Sequence, residues 1–169
     1  MASPQLAELY DSHAQALFAF LLNFTRNEAD SRDILQEVFV KLARQPEALR
    51  QAREVRPFLI RLAHNLAVDL GRRRQAREKY HVAAGLEQVE LFVPPVTADE
   101  EAFRRELSIA LGELPPDQRA VVHLKLWEGL TFDQIGEVLH ISLNTAASRY
   151  RYGLDKLRDR LRPLYEEIQ

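Results

Sequence analysis

Six side chains within nine residues carry the chain's most specific recognition chemistry: Asn144, Thr145, Ser148, Arg149, Arg151 and Tyr152. Short hydrogen-bonding groups followed by guanidinium groups suit base edges and phosphate oxygens. A face kept merely soluble would draw on Glu and Lys. The competing reading is a solvated helix on an ordinary three-helix bundle, and this segment alone leaves both open. A second group comprises Phe58, Arg61, His64, Asn65 and the run Arg72-Arg73-Arg74. Its guanidinium groups could clamp phosphates, while the ring, imidazole and amide would suit unpaired bases. Equally, three arginines at a helix end could stay solvated and favour the helix macrodipole. The third group is acidic: Asp33, Gln36 and Glu37 form a stripe that is either a solvated face or a docking surface for a basic partner. None of these patterns is catalytic. The five histidines (His13, His64, His81, His123 and His140) lack metal-ligand spacing, and no Gly-rich phosphate loop or nucleophile motif accompanies them. The expectation is a non-enzyme with no cofactor and no metal.

The elements that must position these groups are helices. Residues 114–161 hold three of them. Pro115-Pro116 opens the first, since a first turn needs no N–H from proline. Val121, Val122, Leu124 and Leu126 give it an apolar body, and Gly129 ends it. Thr131 and Gln134 form a capping box for a short second helix with Phe132, Ile135, Val138 and Leu139 inward. Gly136 inside it fits a close approach by the next helix. After the tight turn His140-Ile141-Ser142, a third helix starts near Leu143 and is expected to stop at Pro163. Its apolar stripe is Leu143, Ala147, Tyr150, Leu154, Leu157 and Leu161. A short helix, a three-residue turn and a longer helix make a helix-turn-helix, whose second helix enters a major groove.

Earlier in the chain, Leu6, Leu9, Tyr10, Leu17, Phe20, Leu21 and Phe24 predict a helix over 6–24. A second spans 28–43, with Ile34, Val38, Phe39 and Leu42 inward, and Asp30, Asp33 and Glu37 on the other face. A third spans 58–74, burying Leu59, Leu62, Leu66 and Leu70 and turning Arg61, Asn65 and Arg72 away. Periodicity lapses over 81–99, where Val93-Pro94-Pro95-Val96 marks a linker. A last helix covers 100–111, with Phe103, Leu107 and Leu111 inward. The fold class is all-α: two small helical domains joined by a linker, the C-terminal one a helix-turn-helix. The division is 1–80, 81–99 and 100–169.

Composition sets outer limits. With 169 residues and 46% hydrophobic content, the chain can build one core or two small ones. No cysteine is present, which excludes disulfides and thiolate metal sites. No apolar run approaches the roughly 20 residues of a membrane span. The opening MASPQLAELYDS has no secretory pattern, so the cytoplasm is the expected compartment. The net charge of −2 conceals a partition. Residues 41–79 carry eleven bases against four acids, a balance of +7. Residues 80–117 carry two bases against eight acids, a balance of −6.

On these residues the sequence resembles a sigma factor of the extracytoplasmic-function (ECF) type, the promoter-recognition subunit of bacterial RNA polymerase. Asp33-Ile34-Leu35-Gln36-Glu37-Val38-Phe39 is similar to the family's D-x-x-Q-E-x-F signature. The resemblance implies that Asp33, Gln36 and Glu37 dock on a coiled coil of the polymerase's largest catalytic subunit. Phe58-Leu59 through Arg61, His64, Asn65, Asp69 and the cluster Arg72, Arg73 and Arg74 resembles the segment that melts and reads the −10 element, with Phe58 where Trp is usual. Leu114-Pro115, Gly129-Leu130, Ile135 and Thr145 with Ser148-Arg149 resemble the domain that binds the −35 element. The chain departs from the pattern at Ala146-Ala147 and at Tyr152-Gly153, which leaves the third helix fewer cations than usual and makes Arg149 and Arg151 the stronger −35 candidates. The implied partners are core RNA polymerase, promoter DNA and an anti-sigma factor, with no membrane insertion. The acidic linker resembles family linkers that thread through polymerase channels. A stand-alone helix-turn-helix regulator with an N-terminal dimerisation domain is the alternative.

Overall fold

The computed structural model describes residues 4–78 and 101–168. The proposed linker 81–99 lies outside the described residues, as do Lys79, His81 and Glu100. Chain contacts separate two units, residues 1–89 and 90–169. Every described element is an α-helix or a connecting turn.

The first unit contains α1 (Pro4–Thr25), α2 (Glu28–Arg44), α3 (Pro46–Arg50) and α4 (Val55–Glu78). Helices α1, α2 and α4 pack pairwise around Leu17, Phe20, Leu21, Ile34, Val38, Leu42, Leu59, Ile60 and Ala63, all under a tenth exposed. Full burial of each large aliphatic or aromatic side chain contributes about 1.5–3 kcal/mol. The α1–α2 corner is polar and closely bonded. Arg26 takes a left-handed φ of 55°, and the Asn27 side chain accepts the Asp30 N–H at 2.9 Å. Ser31 Oγ donates to the Asn27 carbonyl at 2.7 Å and sits 2.8 Å from Thr25 Oγ1. Asx capping here starts α2 after only two intervening residues, Arg26 and Asn27. Helix α3 was not anticipated: Pro46 supplies its first turn, but five residues carry too little periodicity to announce it.

The second unit contains α5 (Glu101–Glu113), α6 (Pro116–Leu126), α7 (Phe132–Leu139) and α8 (Leu143–Ile168). Ala110, Leu111, Leu114, Val122, Leu157 and Leu161 form a core against which Phe103, Leu107, Trp127, Tyr150 and Leu154 pack. The long α8 crosses α5, α6 and α7. Gly153 permits that crossing, because a Cβ there would fall 2.8 Å from Val122 Cγ2. Gly129 turns the chain at φ +66°, which lets the Leu130 N–H reach the Leu124 carbonyl at 3.1 Å. The capping box of α7 is complete: Gln134 N–H donates to Thr131 Oγ1 at 3.1 Å and Thr131 N–H to Gln134 Oε1 at 2.9 Å. A Cβ on Gly136 would fall 2.6 Å from the Ile141 carbonyl oxygen, so the close approach expected at this glycine is real.

Three expectations are corrected. Helix α8 continues through Pro163 to Ile168. Proline removes one amide and crowds the carbonyl four residues back; Pro163 and Asp159 are both exposed, and on a solvated helix face a carbonyl without its helical partner can bond to water. Leu126 and Leu143, assigned to apolar faces, are each 49% exposed because they stand at helix ends beyond the packed turns. The buried positions at the start of α8 are Ala146 and Gly153, two residues whose small size hid them from a hydrophobic stripe.

Candidate nucleic-acid interface

The α8 candidates form two adjacent rows on one side of the helix. Asn144, Ser148 and Arg151 make one row, at steps of four and three; Thr145, Arg149 and Tyr152 make the next. Asn144, Arg151 and Tyr152 are exposed, while Thr145, Ser148 and Arg149 are half-buried. Ser142 prepares the start of α8: its Oγ accepts the Thr145 N–H at 3.1 Å and donates to Thr145 Oγ1 at 2.8 Å. The Thr145 hydroxyl is therefore part of the helix cap. The Arg151 guanidinium lies over the Tyr152 ring, 5.3 Å from its centroid, a cation–π contact between neighbouring candidates. Arg149 reaches Asp117 in the first turn of α6 at 3.8 Å. Asp117 was missed by sequence reasoning, since nothing local links it to a residue two helices later in the unit. Tyr150 packs on Phe132 with ring centroids 5.5 Å apart, which removes it from the outward rows.

Among its described residues the second unit buries the polar side chains of Ser108, Arg119 and His123. Arg119 is 3% exposed and donates through Nη1 to the carbonyls of Gly112 and Leu114, each at 3.3 Å, which neutralises the C-terminal end of α5. His123 is 1% exposed, and burial pushes its imidazole down to about 3. Its ring meets Trp127 edge-on at 5.2 Å.

In the first unit, Phe58, Arg61, Asn65 and Arg72 share one face of α4 at steps of three, four and seven. Arg61 and Arg72 are exposed, and Phe58 and Asn65 half-buried. Two of the remaining candidates are turned elsewhere. His64 packs edge-on against Phe24 at 5.1 Å, and both terminal nitrogens of Arg74 donate to the carboxylate of Asp30 on α2. Arg73 is exposed. On α2 the inward set Ile34, Val38 and Leu42 leaves Asp33, Gln36 and Glu37 exposed together. Beside Gln36, a groove of about 700 Å³ is lined by Leu6 and Tyr10 of α1 and Leu35, Phe39 and Val40 of α2. Sequence reasoning had put Tyr10 in the core; it is 48% exposed and meets Phe39 edge-on at 5.0 Å.

Among the described residues no cluster of His, Cys, Asp or Glu could hold a metal, and no helix is long and apolar enough to cross a membrane. What the faces can do is bind: an acidic helix face, a basic and amide-bearing face, and a helix-turn-helix with paired hydrogen-bonding and guanidinium rows.

Comparison with known proteins agrees with this arrangement. The family described as Sigma-70 region 2 matches residues 9–77, and Sigma-70, region 4 matches residues 110–159. The chain is 31% identical to the RNA polymerase sigma factor CarQ of Myxococcus xanthus, across 99% of this chain and 95% of that protein. It is 30% identical to the ECF RNA polymerase sigma factor SigL of Mycobacterium tuberculosis, across 92% and 88% respectively. Its fold resembles the sigma factor RpoE of Bartonella quintana, solved in complex with the anti-sigma factor NepR, with a TM-score of 0.81, 17% identity, and coverage of 95% and 98%. With both Sigma-70 regions in order on two helical units, the chain belongs to the ECF RNA polymerase sigma factors, which direct promoter recognition.

Proposed function

We propose a division of labour among the three faces. Asp33, Gln36 and Glu37 on α2 hold a basic surface of core RNA polymerase. The α4 face of Phe58, Arg61, Asn65 and Arg72 takes the unpaired −10 strand, with Arg73 on its margin against phosphate. Asn144, Ser148, Arg151 and Tyr152 face the −35 duplex, and Arg149 flanks them. The stretch 81–99 joins a region 1–80 to a region 100–169. An anti-sigma factor restrains the protein by covering these faces, and the site of action is the cytoplasm, where polymerase and DNA meet. The work is binding, not catalysis.

One observation carries the reading: each proposed face lies on an element inside a matched Sigma-70 region, and the side chains named for it stand together on one side of that element. The order of charge agrees, since an acidic stripe suits a basic protein surface and an arginine-amide face suits phosphates and unpaired bases. The test is run-off transcription with core polymerase lacking any sigma, on fragmented genomic DNA of the source organism. Discrete new transcripts are expected, and they deliver the promoter sequence. No transcripts and no co-elution with core would overturn the reading in favour of a stand-alone duplex-binding regulator.

A further inference from the structure

We propose that Arg74 is a positioning residue and not a DNA contact: its two-point pairing with Asp30 fixes the arginine-bearing end of α4 to the first turn of α2. The helix geometry says which way Arg74 faces. The core-facing residues of α4 are Leu59, Ile60, Ala63 and Ala67. Continuing by threes and fours puts Leu70 and then Arg74 on that same face, while Arg72 falls on the side shared by Arg61 and Asn65. Asp30 is the complementary half. It is 7% exposed, and a carboxylate so removed from water needs a charged, hydrogen-bonded partner. A guanidinium donating through both terminal nitrogens is the geometry that supplies one. Residues 71–77 are all exposed, so beyond the half-buried Leu70 the last two turns of the helix lack a hydrophobic anchor of their own. The pairing takes that place.

Its location gives it a role in promoter opening. Asp30 precedes Asp33 by three residues and Glu37 by seven, on the helix proposed to hold polymerase. Arg74 follows Arg72 and Arg73, on the helix proposed to take the −10 strand. The ion pair holds one face in register with the other, and so sets where Arg72 and Arg73 stand when the first unit is seated on the enzyme. This rests on the promoter reading above.

The experiment uses full-length protein reconstituted with core polymerase on a promoter recovered by run-off transcription. Two quantities are read: affinity for core, and the fraction of promoter opened, from permanganate reactivity of unpaired thymines. Asp30→Asn and Arg74→Ala are each expected to lower the opened fraction at least tenfold, with core affinity within twofold of wild type. The exchange Asp30→Arg with Arg74→Asp is expected to recover at least half of the loss. Arg74→Ala defective with Asp30→Asn normal would overturn the proposal, because removing an acid frees a cation and spares a true DNA contact. Both variants behaving as wild type would overturn it too. If a single variant fails to fold by circular dichroism, the exchange decides, and a folded exchange variant with no recovery overturns the proposal. Failure of the wild-type protein to open any promoter is a different result: it sinks the promoter reading before any variant is compared.

Discussion

Mild acid should weaken the recognition unit through a single side chain. His123 sits in the core of that unit, where burial pushes its imidazole from 6.5 down to about 3. The folded protein therefore keeps the ring neutral, while the unfolded chain takes up a proton as pH falls below 6.5. A base whose folded value is depressed contributes fully above the unfolded value and loses that contribution as pH descends toward the folded one. The window is thus 6.5 down to 3. Each unit of difference is worth about 1.4 kcal/mol, so lowering pH from 7 to 5 costs the unit about 2 kcal/mol. Trp127, the single tryptophan, touches the His123 ring and reports the transition by fluorescence. Urea unfolding at the two pH values should show the midpoint falling by about 1–2 M, given ordinary slopes for small units. His123→Leu removes the titrating group while keeping similar volume, and should lose most of the pH difference; His123→Gln serves if the leucine variant does not fold. Equal losses in wild type and variant would refute the reasoning, because some other group would then carry the effect.

Four further outcomes are expected. Gly136→Ala should cost the recognition unit about 3 kcal/mol, because the new methyl meets the Ile141 backbone oxygen and not a side chain that can move aside; denaturant unfolding measures it. His140→Gly should instead raise stability by roughly 0.5–1 kcal/mol, because φ of 57° strains any residue with a Cβ; the thermal midpoint reads this. Replacing Asp33 and Glu37 together with Lys should abolish co-elution with core polymerase and leave the helical circular dichroism unchanged, as both are exposed. Arg149→Ala should weaken binding to the −35 duplex by about 1–3 kcal/mol if it reads a base edge, whereas an equal loss on all sequences would make it a phosphate contact.

Helices with long apolar stripes were legible from sequence, because burial every third or fourth residue leaves a period that composition cannot disguise. That holds for α1, α2 and α5–α8; α4 was legible as a helix, but its buried side is Leu59, Ile60, Ala63 and Ala67, and the expected Leu62, Leu66 and Leu70 are only half-buried. The capping box at Thr131 and the close approach at Gly136 were legible too, since each depends on residues only a few positions apart. What escaped was of three kinds. Ala146 and Gly153 are buried although small, so they leave no hydrophobic mark. Leu126 and Leu143 are apolar yet exposed, because a stripe says which side faces in and not where the packing stops. The pairings of Arg74 with Asp30 and of Arg149 with Asp117 join different helices, and no local pattern announces them. Of the candidate residues, Asp33, Gln36 and Glu37 stand exposed together on α2, and Phe58, Arg61, Asn65 and Arg72 share one side of α4, while His64 and Arg74 turn away from it.

Helix α7 is eight residues long with a glycine inside it, and it ends at a left-handed histidine. Isolated helices under about 12–15 residues are marginal in water even when every residue favours them. Its order is therefore borrowed: the capping box closes one end, and Ile135, Val138 and Leu139 are held by what they touch. A segment of this kind has no foldon of its own. Its amides should exchange with solvent at the rate set by the opening of α8 around it, so the bend and the helix that follows it form, and fail, as a single event.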